Sequence, residues 1–136
     1  TPPGRMRVLA GLSPRSRRVL APLECNMADI LTAPEQAIFL AGKVVACATA
    51  FLDGRHDAVR LAADADRLQC ELLSVSTDPD AACILVPARL LVIAMAITAR
   101  AKGEARLDRC QAVMGALVEL VLHESTDMRL RGVQRS

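Results

Sequence analysis

Apolar residues recur along this chain at intervals of three and four, in four runs separated by short polar breaks. In the first run Ile38, Ala41, Val45, Ala48 and Leu52 fall on one side of a helix. Thr32, Pro34 and Glu35 precede it as N-cap, first-turn proline and capping-box acid, and Asp53-Gly54 stops it. The second run, Leu61, Ala65, Leu68, Leu72 and Val75, has Asp64, Asp66, Arg67 and Glu71 around it. It predicts an amphipathic helix ending near Ser76.

Thr77, Asp78, Pro79 and Asp80 repeat the capping grammar and open a third helix that should reach Lys102. Cys83, Val86, Leu90, Ile93 and Ile97 make its seam, but Ile84, Leu85, Leu91, Val92 and Met95 point elsewhere, so the helix is apolar nearly all round. Such a helix is expected at the centre of the fold or against a partner subunit. After Gly103, the residues Leu107, Cys110, Met114, Leu117 and Val121 repeat at a heptad-like spacing and predict a fourth helix to Ser125.

Short connections make successive helices antiparallel, so the expectation is an all-α fold, an up-down-up-down four-helix bundle of two hairpins. The segments 32–40 and 77–85 resemble each other, which fits either duplicated hairpins or convergent capping. The first 26 residues have no such pattern, because Pro2, Pro3, Gly4, Gly11, Pro14 and Pro22 interrupt them every few positions. They read as a basic, mostly irregular arm, followed by a helical domain over 27–126 and a basic tail over 127–136.

The 136 residues suffice for one domain with a real core, and 52% hydrophobic with 24% charged residues is a globular composition. Tyr and Trp are absent and Phe39 and Phe51 are the only aromatics, which favours helix over sheet. The net charge of +2 conceals a segregation: residues 1–26 carry +4, residues 27–124 carry −4, and residues 125–136 carry +2. Basic ends on an acidic body fit either an anionic partner or folding back on the body itself.

Five cysteines, none in a C-x-x-C pair, together with no signal-like run at the N-terminus, point to free thiols in a reducing, cytoplasmic compartment. The longest uncharged apolar stretch, Leu90 to Ala99, is about half of what a membrane span requires, so no membrane association is expected. Arginine's excess over lysine suits a GC-rich, bacterial coding sequence.

Chemistry has little to stand on. His56 and His123 are expected at helix ends on opposite ends of the bundle, with His123 near a C-terminus where the helix dipole favours its charged form. No nucleophile-elbow, zinc-protease, phosphate-loop or dinucleotide motif occurs, and no catalytic residue, metal or cofactor is expected. Cys83 and Cys110 read as core residues. Cys70 lies opposite the second helix's seam, with Val59 and Ala63 near it, and reads as either an exposed thiol or part of a second apolar strip.

Arg89 stands beside Pro87 in the most apolar helix, where a charge must be paired. It is expected to meet an acid such as Asp64 or Asp66 or to snorkel to water, or else to hold an anionic ligand or a partner's carboxylate, with a pocket near the proline kink. The leading expectation is a non-enzymatic helical protein-interaction module, a homodimer presenting Val59, Ala63, Cys70, Leu91 and Met95 to a partner. The alternative is a nucleic-acid-associated regulator contacting phosphates through Arg15, Arg17, Arg18, Arg129 and Arg131; the third is an anionic-ligand-binding bundle.

Overall fold

A computed structural model describes residues 32–75 and 79–135, the side chains of 132–135 excepted. The chain divides into two units, Thr1–Thr32 and Ala33–Ser136, and almost all described residues belong to the second. The irregular arm expected over 1–26, with Arg15, Arg17 and Arg18, lies outside them, as do Ser76, Thr77 and Asp78.

Four helices pack against each other and no strand occurs among the described residues: α1 (Ala33–Leu52), α2 (Ala58–Leu73), α3 (Ala82–Arg100) and α4 (Glu104–Arg135). Local chemistry sets their ends. Gly54 takes a φ of +80°, which lets Arg55 N–H reach back to the Ala50 carbonyl (2.8 Å) and Gly54 N–H to that of Phe51 (3.0 Å). This is a Schellman closure of α1. Asp57 then caps α2, its carboxylate accepting from Arg60 N–H at 2.8 Å. A single 3-10 turn, Pro79–Ala81, leads into α3, and Gly103 (φ +90°) turns the chain into α4.

The order of packing places α3 at the centre. It lies extensively against both α2 and α4 and also touches α1, whereas α2 and α4 flank it without a substantial interface of their own among the described residues. Leu61, Leu68 and Leu72 of α2 meet Ile84, Leu91 and Met95 of α3 in one core, which Met114 and Val121 of α4 complete.

Three expectations change. The seam assigned to the third helix points outward: Val86, Leu90, Ile93 and Ile97 are exposed, while Ile84, Leu85, Ala88, Leu91, Val92 and Met95 are buried. With aliphatic residues all round, spacing alone cannot choose which side faces the core. The fourth helix does not stop at Ser125. Ser125 and Met128 continue the buried face of Met114, Val118 and Val121, so the segment expected to be a tail is helical through Arg135. His123 therefore sits well inside a helix rather than at its C-terminus.

In α1 the buried face is centred on Ala37, Leu40, Ala41, Val44 and Ala48, leaving Ile38, Val45 and Leu52 half-buried at its edge. By length and composition alone, α1 and the segment 79–100 are each apolar enough to cross a membrane, and about half of the latter is buried inside the bundle. The uncharged run is short there only because Arg89 interrupts it.

Candidate functional site

Two features stand out on the helices, one polar and one apolar. The polar one spans α1 and α2. Asp64, its side chain 4% exposed, is held by Arg67 Nη2 at 3.0 Å and Arg60 Nε at 3.2 Å, with His56 Nδ1 at 3.6 Å. Arg67 also pairs with Glu71 (3.1 Å), and Lys43 of α1 closes the chain of charges on Glu71. Arg67 further reaches the Cys47 sulfur at 3.7 Å.

Cysteine, histidine and carboxylate thus share a neighbourhood, but their electrostatics oppose nucleophilic chemistry. Burial and then the Asp64 charge push the Cys47 thiol up, and Arg67 only partly offsets them. A thiol held protonated is a poor nucleophile. Burial also pushes the Asp64 carboxyl up, yet the hydrogen bonds from Arg67 and Arg60 outweigh it and hold it below its ordinary value. Lys43 lowers Glu71 in the same way, against the opposing effect of burial. The cluster ties α1 to α2, which share less packing than either shares with α3.

Arg89 does not pair with Asp64 or Asp66. Its guanidinium Nη2 donates to the Leu72 carbonyl at 3.5 Å. That carbonyl also accepts from Val75 N–H at 3.3 Å, and it lies at the negative end of the α2 dipole, where a cation from α3 is favoured. A groove of about 230 Å³ runs between α2 and α3, with Ala65, Val92 and Ala96 along it, Ile93 and Ile97 on its outer side, and Asp66 and Arg100 at its rim.

The expected interface residues separate into two groups. Leu91 and Met95 are fully buried in the chain's own core and are out of a partner's reach. Val59, Ala63 and Cys70 are exposed on α2, opposite its seam, but Asp66 and Arg67 stand among them. Of the expected phosphate contacts within reach, Arg129 and Arg131 are exposed, but two positions apart on a helix they project from different sides. Arg131 is already engaged, at 3.6 Å from Asp127 and donating to the Cys83 sulfur at 3.3 Å.

The apolar feature is the outer face of α3. Val86, Leu90, Ile93 and Ile97 are 57%, 47%, 50% and 51% exposed and lie in one row along the helix. Exposed Val113 and Leu120 share the side of α4 that carries Arg131, and Arg131 touches α3 at Cys83, so the α4 residues border the α3 row. These residues were in plain view in the sequence as a seam; what was missing was the side it faces.

Comparisons with protein families, with curated protein sequences and with solved structures gave no match. The fold and this face therefore carry the functional reading.

Proposed function

We propose that this chain is a non-enzymatic helical interaction module that forms a homodimer through the outer face of α3. One observation carries the reading. α3 packs against all three other helices and still leaves four large aliphatic side chains about half exposed in a single row. Isolated exposed leucines need no explanation, but a contiguous aliphatic row bordered by polar groups marks a surface that associates.

Magnitudes set the expected strength. Full burial of a Val, Leu or Ile is worth about 1.5–3 kcal/mol, so covering a half-exposed one returns about 1 kcal/mol. The four positions on two protomers give about 8 kcal/mol, and Val113 and Leu120 add about 4, against an association cost of about 4–15 kcal/mol. A dimer of about micromolar affinity or weaker is the outcome.

Light scattering over a protein-concentration series, on the full chain and on a chain beginning at Met27, tests this directly. A dimer forming in the micromolar range in both, and abolished by Ile93→Glu without loss of helical circular dichroism, is expected. A monomer at every concentration overturns the homodimer.

A further inference from the structure

The proposal that α3 is a self-association face can be taken one step further, and the following rests on it: we infer that two copies pair antiparallel along α3, about a two-fold axis lying between Leu90 and Ile93.

The spacing of the row permits this pairing. Val86, Leu90, Ile93 and Ile97 are separated by four, three and four residues, a pattern that reads the same from either end of the helix. Rotation about an axis between Leu90 and Ile93 sets Leu90 against Ile93 of the second copy and Val86 against Ile97. Each knob then falls between its opposite numbers, as a self-complementary, isologous interface requires.

Charge selects this pairing over the parallel one. The C-terminal end of the α3 segment carries exposed Arg100 and Lys102. Antiparallel pairing holds these cations of the two copies at opposite ends of the contact, and it lays the positive end of one helix dipole beside the negative end of its mate. Parallel pairing stacks Arg100 and Lys102 on their own copies and sets the dipoles side by side.

The row is flanked symmetrically as well. The same rotation keeps each flank on its own side, so the α4 flanks of the two copies, which carry exposed Val113 and Leu120, lie on the same side of the contact. The partner is thus another copy of this chain rather than an acyl surface, which would impose neither register nor direction.

Single cysteine substitutions in the full chain read the register. Near the axis, Leu90→Cys and Ile93→Cys each bring two thiols within disulfide range, whereas Val86→Cys or Ile97→Cys leaves them about 16 Å apart along the helix at 1.5 Å per residue. On mild oxidation, disulfide-linked dimers absent from the unsubstituted chain are expected for the two central variants and for the double variant Val86→Cys/Ile97→Cys. The two end variants alone should give none, with the link assigned by peptide mass and folding checked by circular dichroism.

Linking at all four single positions would establish parallel pairing and overturn this inference while leaving the interaction reading intact. A dimer by light scattering that links at none of them would move the interface off α3 and overturn it too. A chain that stays monomeric, or that sediments only with phospholipid vesicles, would overturn both.

Discussion

At Gly54 the backbone enters the left-handed region with φ +80°, and a Cβ placed there would meet nothing within 4 Å. The cost of a side chain is therefore backbone strain alone, about 1 kcal/mol. Gly54→Ala should lower the melting temperature by about 4 °C for a domain of this size, read by circular dichroism. Asp64 is a second residue whose environment makes a measurable prediction. Its folded carboxyl sits below the ordinary value, as does that of Glu71. A depressed carboxylate contributes stability above its unfolded pKa and loses it as pH falls through the folded one, so stability should decline as the solution is acidified below about pH 5. Asp64→Asn should cost about 1–2 kcal/mol at neutral pH, since the arginines it releases can rehydrate, and should flatten that decline in urea titrations at pH 7 and pH 4. Asp64's burial could not be read from spacing, although Arg60 and Arg67, four before it and three after it, are its neighbours on a helix. In the sequence Asp64 is merely one of the polar residues around an apolar seam, and Arg89 is the more conspicuous charge. The turn that closes α1, by contrast, was legible, because Asp53-Gly54 leaves the chain no helical continuation.

Among the elements, legibility followed contrast. In α2, Asp64 apart, polar and apolar residues separate cleanly round the helix, and the predicted Leu61, Ala65, Leu68 and Leu72 are its buried apolar residues. In α3 the contrast is absent, and the choice of inner face fell to packing against three neighbours: the side carrying Ala88 and Leu91 fits into the bundle, and the side carrying Leu90 and Ile93 remains outside. In α4 the polar Ser125 occupies a buried position in an otherwise apolar row, so a helix that continues looked like one that stops. A pair of alanine substitutions separates the two faces of α3. Leu91→Ala empties a fully buried site and should cost about 2–5 kcal/mol, whereas Ile93→Ala, two positions along, should cost about 1 kcal/mol or less in the monomer. Equilibrium urea unfolding of dilute protein gives both values. If instead the two substitutions cost the same, the inner and outer faces of α3 would have been wrongly distinguished, and the interaction surface with them.

For the molecule as a whole, the bundle has a central helix that is only partly enclosed. Two flanking helices and α1 cover most of α3, and these three neighbours leave one sector of it open. The proposed second protomer would close that sector, and closure would couple association to folding. Where the dimer is populated, each tenfold rise in protein concentration stabilises a protomer by about 0.7 kcal/mol, half the free energy of a tenfold change in an association equilibrium. For a domain of about 100 residues this should raise the melting temperature by about 3 °C per decade of concentration, and the slope should vanish in Ile93→Glu. A flat profile in the unsubstituted chain at concentrations where light scattering shows dimer would mean that the dimer dissociates before it unfolds. A flat profile with monomer throughout would mean that α3's outer row is simply tolerated by the fold, and that association is not what keeps it apolar.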